Sequence, residues 1–188
     1  MRQRSPETWR QIRDSAVGLM AERGFDAVSV DDIVAGAGIS RRTYFNYFAA
    51  KESVLFDPDP DDPGLWAELT AARPPGEPLW TTLHQLILAY TEAAGEQIVR
   101  QRRVITGSPS LAVCSRETCD RFWDCVRGWA ARRGTTATDL QLDLMINTAR
   151  AAFATVSARW DADTGIPGLH RLIDEAFTLL RSPEWDTL

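Results

Sequence analysis

Apolar residues recur at intervals of three and four positions through most of this 188-residue chain. That spacing gathers them on one face of an α-helix, whereas a half-buried strand would show a strict alternation of apolar and polar residues, which never persists here. Hydrophobic residues make up 44% and charged residues 25%, as in ordinary globular proteins. The pattern predicts an all-α protein of about nine helices, with a three-helix head and a larger helical body.

The first helix of the head has a clear start and a clear end. Ser5 is a typical N-cap, Pro6 suits the first helical position, and Gly24 follows the last periodic residue. One face of this helix is expected to pack inward and is formed by Trp9, Ile12, Ala16, Leu19 and Met20.

Two shorter helices follow. Ser29 and Asp32 resemble a capping box with Asp in place of the usual Glu, and Gly38 suits a sharp turn at the end of that helix. Ser40 then caps a third helix that runs to about Phe48.

This arrangement is typical of a helix-turn-helix, whose second helix enters the major groove. At about 100° per residue Tyr44 and Phe48 lie together and are expected to pack inward with Ile39. Arg42, Thr43 and Asn46 then point the other way. Any short polar helix after a glycine turn can imitate this pattern, so the residues alone leave a purely structural helix as the alternative.

The polar side chains suit different contacts with DNA. Arg41 and Arg42 are the best candidates for reading bases, because Arg pairs bidentately with guanine. Tyr47 and Lys51 are expected to contact phosphates, and the free amides at the start of the helix capped by Ser29 offer a further phosphate site. The predicted DNA-binding set is Ser29, Ser40, Arg41, Arg42, Thr43, Phe45, Asn46, Tyr47 and Lys51.

Charge is distributed unevenly. The chain has a net charge of −5, but residues 1–56 carry eight basic and seven acidic residues, and the remainder has a net charge of −6. A small local positive face on an acidic protein permits DNA binding without proving it.

The segment Asp57 to Gly64, with the sequence DPDPDDPG, is expected to break all regular structure. The sequence therefore predicts a head at residues 1–56 and a body at residues 57–188. A second break is expected at Arg73 to Pro78 and a helix interruption near Gly95. The helices of the body are expected at about Leu65 to Ala72, Leu79 to Val104, Ser115 to Gly134, Asp139 to Trp160 and Gly168 to Leu180.

Other functional classes find little support. The chain has two His residues and lacks a nucleophile-elbow motif, a glycine-rich phosphate loop and a His/Glu metal pair, so we expect no enzyme, cofactor or metal site. A scaffold that has lost DNA binding is a weaker rival, since Arg41, Arg42, Tyr47 and Lys51 are intact.

The three cysteines, Cys114, Cys119 and Cys125, are expected to be buried reduced thiols, with redox sensing as the minor alternative. No apolar run approaches the roughly 20 residues of a membrane span, and no signal core is present. A cytoplasmic protein without membrane contact is expected.

The stretch from Thr8 to Phe56 closely resembles the N-terminal domain of TetR/AcrR-family regulators, above all GFDAVSVDDIVAGAGISRRTYFNYFAAKESVL from Gly24 to Leu55. The resemblance implies a ligand-responsive repressor that binds a palindromic operator as a homodimer and is released by a small apolar or aromatic effector. Two departures stand out. Phe45 occupies a position where many members carry Tyr, and the break after Phe56 interrupts the family's fourth helix.

The family's body implies a ligand pocket and a dimer interface. Aromatic residues of the body suit a pocket for an apolar ligand and suit a plain core equally; for His84 a satisfied, partly buried histidine is the favoured alternative. The predicted pocket residues are Trp80, His84, Tyr90, Phe122, Trp123, Met145 and Phe153. The last two helices correspond to the family's dimer bundle, with a predicted interface of Ala149, Ala152, Val156, Leu172 and Phe177.

Overall fold

The computed structural model describes residues 5–108, 111, 123–124, 126–133 and 137–181. The predictions for Cys114, Cys119, Phe122, Cys125 and a helix start at Ser115 lie outside these residues. The described part of the chain is built from helices and contains no strand, so the all-α prediction is confirmed.

The helices follow one another along the chain as α1 (Pro6–Arg23), α2 (Val30–Gly36), α3 (Arg41–Tyr47), α4 (Ser53–Phe56), α5 (Asp62–Ala71), α6 (Leu79–Thr106), α7 (Asp139–Arg159) and α8 (Gly165–Leu179). A short 3-10 helix at Ala162–Thr164 precedes α8, and residues 126–132 are also helical.

The chain divides into two compact units. One unit comprises Met1–Leu65 and Gln97–Thr118, and the other comprises Trp66–Glu96 and Cys119–Leu188. The division falls inside α6 next to Gly95, whose φ of 46° and ψ of −127° are not helical. The predicted interruption of this helix is therefore confirmed.

The first unit extends beyond residue 56, where the sequence predicts the head to end. Val104 and Leu111 are buried in its apolar core, and a set of polar contacts centres on Arg13, a buried residue of α1. Its guanidinium donates to the carbonyl oxygens of Leu55 and Asp57 and to the side-chain oxygen of Gln97, and it lies 4.8 Å from the Trp9 ring centroid. These bonds attach the end of α4 and the last part of α6 to α1.

The non-helical segment after α4 is shorter than predicted. Helix α5 begins at Asp62, so the last three residues of the predicted break form its first turn, where Pro63 costs no backbone hydrogen bond. Arg10 donates to both carboxylate oxygens of Asp59 at 3.0 and 2.9 Å and also pairs with Asp61. The acidic segment is thus bonded to α1.

The predicted face of α1 forms one part of the core of the first unit, to which α2, α3, α4 and the end of α6 also contribute. Trp9, Ile12, Ala16 and Met20 are buried, and Leu19 is partly buried against them. The Ser5 side chain caps this helix by accepting from the Thr8 amide.

The second unit packs the first part of α6 with α7 and α8. The indole N–H of Trp80 donates to the Phe177 carbonyl oxygen at 3.3 Å, and the two rings lie 4.7 Å apart. Thr138 and Gln141 form a capping box at the start of α7. Helix α8 begins at Gly165, three residues before the predicted start.

The predicted break at residues 73–78 is held by Glu77. Its carboxylate accepts from Arg73 and from the Thr82 hydroxyl, and Arg133 donates to Thr82, to the Pro74 carbonyl and to the backbone oxygen of Glu77. The hydrogen bond from Arg73 is the main reason why the pKa of Glu77 lies below its ordinary value.

None of the helices in the described part of the chain is both long and apolar enough to cross a membrane.

We expect Glu77→Gln to lower the free energy of unfolding by about 1–2 kcal/mol at pH 7, because the charged bonds to Arg73 and Thr82 are weakened. A folded-state pKa below the unfolded value stabilises the fold above the unfolded pKa and loses that effect as the pH falls through the folded pKa. Urea titrations should show a constant difference from the parent down to about pH 5.5 and a shrinking one below about pH 4.5.

Asp143→Asn is the matched control, since Asp143 pairs with Arg127 on an exposed surface and should leave stability unchanged. A Glu77→Gln difference that stays constant through pH 4 would show that packing, and not charge, holds this turn.

Candidate nucleic-acid interface

Helix α3 has one buried side and one exposed side. Tyr44 and Phe48 are fully buried, their rings lie 5.8 Å apart, and the Phe48 ring lies 5.4 Å from that of Trp9. The Tyr44 hydroxyl donates to the Ala50 carbonyl oxygen at 3.1 Å, and burial raises the pKa of this phenol. The inward packing of Tyr44 and Phe48 is therefore confirmed, and Ile39 is partly buried against the same cluster.

The opposite side of α3 faces solvent. Arg42 and Asn46, one turn apart, are exposed, and Phe45 between them is 48% exposed. Arg41 at the first helical position is also exposed. The helix thus offers two long cations, an amide and an apolar ring on one surface.

The turn before α3 is built as the sequence predicts. Gly38 has a φ of 62°, a conformation that costs glycine little, and the Ile39 amide donates to the Val34 carbonyl oxygen at 3.0 Å. The Gln11 side chain of α1 donates to the Ala37 carbonyl oxygen at 2.9 Å. Helix α3 therefore leaves the turn in a fixed direction.

Ser40 and Thr43 contact each other at the start of α3. The Ser40 hydroxyl oxygen accepts from the Thr43 amide at 3.0 Å, and the two hydroxyl groups are 2.8 Å apart. The predicted cap is confirmed, and both hydroxyls lie beside the exposed arginines.

Ser29 is less suited to phosphate than predicted. Its amide and hydroxyl both contact Asp32, and the Asp32 amide bonds back to the Ser29 hydroxyl oxygen. These hydrogen bonds lower the pKa of Asp32. The capping box is confirmed, but it uses two of the amides predicted to be free, and the carboxylates of Asp31 and Asp32 would repel phosphate.

Lys51 has a structural role that the sequence does not reveal. Its ammonium donates to the carbonyl oxygens of Phe25 and Val28 at 2.8 and 3.0 Å and lies 3.9 Å from the Phe25 ring centroid. A lysine ammonium has three donors, so one N–H is left for a phosphate. The phosphate contact of Lys51 stays a prediction beside this structural role.

Tyr47 is half-buried, and its hydroxyl oxygen accepts from the Ser5 amide at 3.0 Å. This bond joins the end of α3 to the start of α1. The hydroxyl hydrogen can still be donated to a phosphate oxygen.

Sequence reasoning missed Asp31. Its carboxylate accepts from Nη1 of Arg41 at 3.0 and 3.1 Å, across the two helices of the motif. Ten residues separate this pair along the chain, so no helical spacing indicates it.

In the second unit the residues predicted for a ligand pocket differ in how deeply they are buried. Trp80, Trp123 and Met145 are buried in the core, whereas His84, Tyr90 and Phe153 are half-buried. His84 shares a hydrogen bond of 2.8 Å with Asp174 and stacks on Phe177 at 4.7 Å. These contacts fit the satisfied-histidine alternative.

The residues predicted for a dimer interface face largely inward. Ala149, Ala152, Val156 and Phe177 are buried within their own chain, and Leu172 is half-buried. They therefore have little surface to offer a partner. The opposite face of α7 is the exposed one, with Leu140 and Leu144 at 69% and 54% exposure.

The known proteins that this chain resembles in sequence are transcriptional regulators. The family model described as "Bacterial regulatory proteins, tetR family" matches residues 12–57. Over 167 residues the chain is 29% identical to MftR of Mycobacterium tuberculosis (strain ATCC 25618 / H37Rv), a regulator assigned to mycofactocin biosynthesis, with 87% of this chain and 84% of MftR aligned. It is 49% identical over 44 residues to the M. tuberculosis HTH-type transcriptional regulator EthR, covering 23% of this chain and 20% of EthR.

Among solved structures, the chain is similar to FadR of Thermus thermophilus, a TetR-family repressor in complex with lauroyl-CoA, with a TM-score of 0.56 and 23% identity. The match covers 93% of this chain and 97% of FadR, so the two share a fold along nearly their whole length.

We expect Lys51→Ala to lower the free energy of unfolding by about 1–2 kcal/mol, because two carbonyl oxygens lose a charged donor that water replaces only in part. Chemical denaturation of the full chain measures this loss. Arg42→Ala removes a cation from the exposed side of α3 and should change stability by less than about 0.5 kcal/mol. Equal stability of the two variants would contradict the structural role of Lys51.

Proposed function

Because this chain is a transcriptional regulator of the TetR family, we propose that it is a repressor that binds a palindromic operator as a homodimer through α3. The division of α3 into a buried side and an exposed side carries the proposal. Tyr44 and Phe48 fix the rotation of the helix from inside, and that rotation presents Arg42, Phe45 and Asn46 to the outside.

The exposed side chains of α3 match the edges of base pairs. Arg42 suits a bidentate contact with guanine O6 and N7, and Asn46 suits the corresponding contact with adenine. Phe45 suits apolar contact with a thymine methyl group or a sugar. Ser40 and Thr43 frame this surface at the start of the helix.

Two further residues suit phosphates and would set the register on the duplex. Lys51 has one ammonium N–H beyond the two that bind backbone oxygens, and Tyr47 retains its hydroxyl hydrogen. Both are fixed by bonds to other parts of the head, which lowers the entropy lost on binding.

The dimer we propose uses the exposed face of α7. Along this helix Met145, Ala149 and Ala152 face the core of their own unit, while Leu140 and Leu144 lie on the opposite side. Ala151 and Ala154 continue the exposed stripe with small side chains that permit close helix approach. A second copy of the chain would cover this stripe around a two-fold axis, and the same axis would relate the half-sites of the operator.

We also propose that an effector with a large apolar part binds in the second unit and releases DNA. Support comes from the half-buried Tyr90 and Phe153 and from the apolar acyl chain of the lauroyl-CoA held by Thermus FadR. The effector must bind the DNA-free conformation more tightly than the operator-bound one, because only a difference in affinity shifts the equilibrium.

We expect Arg42→Ala to lower operator affinity by about 1–3 kcal/mol, roughly 5- to 150-fold, and to relax base preference at one position of each half-site. The test is fluorescence anisotropy at fixed salt with the operator, its single-base variants and unrelated DNA of equal length. The operator is first located by footprinting the DNA next to the gene.

Arg23→Ala is the matched control, because Arg23 is exposed in the same unit but lies at the end of α1. It should leave base preference unchanged. If Arg42→Ala instead weakens all DNA equally and lowers the salt slope by about one, Arg42 binds phosphate and the base-reading assignment is wrong.

The dimer is tested by Leu144→Asp. A charge in the centre of the proposed interface should raise the dimer dissociation constant by about 30-fold or more, measured by sedimentation velocity. The circular dichroism spectrum should not change, because Leu144 is exposed in the single chain. Ala67→Asp on the exposed side of α5 is the control. A Leu144→Asp protein that dimerises like the parent would place the interface elsewhere.

A further inference from the structure

Asp31 is an acidic residue in the motif that we propose approaches DNA. It lies in the first turn of α2, its side chain is 69% exposed, and that of its partner Arg41 is 62% exposed. A carboxylate at this place is repelled by phosphates and would weaken binding to any DNA. General affinity for DNA therefore does not explain an acidic residue at position 31.

An acidic residue in the first turn of a helix is stabilising by itself, but this effect does not need Arg41 as a partner. An ion pair between two exposed side chains is screened by water and contributes little to folding. The two helices are already joined by the bond from the Ile39 amide to the Val34 carbonyl oxygen, and each has its own serine cap.

The geometry of the pair suits a role in orientation. Both Asp31 oxygens contact Nη1 of Arg41, while the Arg41 guanidinium carbon lies 5.8 Å from the centroid of the Phe45 ring. The side chain is thus held by a carboxylate and bordered by an aromatic ring before any DNA arrives. Within the described part of the chain, no hydrogen bond engages its Nε and Nη2 groups. That edge of the guanidinium can make the bidentate contact with guanine.

We propose that Asp31 is a specificity-determining residue that positions Arg41 for reading guanine and penalises DNA that lacks the matching base. This inference rests on the proposed DNA-binding function of α3. On the operator, Arg41 binds guanine while Nη1 stays on Asp31, so the carboxylate is neutralised by the same cation that reads the base.

On other DNA no guanine meets the free edge of Arg41. Arg41 still pairs with Asp31 there, but no base contact offsets the repulsion between Asp31 and the DNA phosphates. The Asp31–Arg41 pair therefore raises affinity for the operator and lowers affinity for other DNA. Specificity is the difference between these two affinities.

The test compares Asp31→Asn with the parent in the full-length protein, using the operator, its single-base variants and unrelated DNA. We expect operator affinity to fall by about fivefold or more and affinity for unrelated DNA to rise by about two- to fivefold, because the orienting contact and the repulsion are lost together. Base preference should relax at the one position per half-site that Arg41 reads.

A double-mutant cycle assigns the effect to the pair. In the Arg41→Ala background, Asp31→Asn should still raise affinity for unrelated DNA but should no longer lower affinity for the operator. Asp31→Glu, which keeps the charge, should restore part of the base preference. Asp26→Asn removes an exposed acid elsewhere in the head and should raise binding to all DNA alike.

Two results would overturn the proposal. Equal tightening of operator and unrelated DNA by Asp31→Asn would mean that Asp31 only competes with DNA for Arg41. Equal weakening together with a lower melting temperature would mean that the pair is structural. A parent protein that shows no operator preference would instead defeat the proposed function itself, so the two failures are distinguishable.

Discussion

The contact between α3 and the aromatic core of the first unit determines what the rest of the head can do. A helix of seven residues is too short to be stable alone in water. It is stabilised by burial of Tyr44 and Phe48 against Trp9, and the Tyr44 hydroxyl donates to the Ala50 carbonyl oxygen. Because the side chains of a helix are fixed relative to one another, burial of these two rings also decides which residues face outward.

Much of this geometry could be predicted because its signals are local. The caps at Ser5, Ser29 and Ser40 and the positive φ of Gly38 depend on residues no more than four positions apart. The inward side of α3 follows from helical periodicity alone. The same local signals set the ends of most helices to within a few residues.

The partners of the charged residues could not be predicted in this way. Lys51 bonds carbonyl oxygens 26 and 23 positions away, and Arg10 pairs with Asp59 across 49 positions. A long cation can reach many acceptors, and the sequence does not say which of them the fold brings near. The acidic residues before α5 are held both by Arg10 and by local bonds, since the Asp59 amide donates to the Asp62 carboxylate at 3.0 Å.

The amino-acid composition of α7 is not enough to predict which of its faces forms an interface. Alanines lie on both of its faces, so a search for small side chains cannot tell the face that packs on its own chain from the face left for another. Burial separates them: Ala149 and Ala152 share their side with Met145, whereas Ala151 shares the other with Leu144. The outward side also carries Asn147, Thr148 and Thr155, so its apolar part consists of Leu140, Leu144 and the small alanines. In a two-fold dimer the same stripe of α7 is buried on both copies, because each copy covers the stripe of the other. The exposed leucines would then be buried without a second, different surface on the chain.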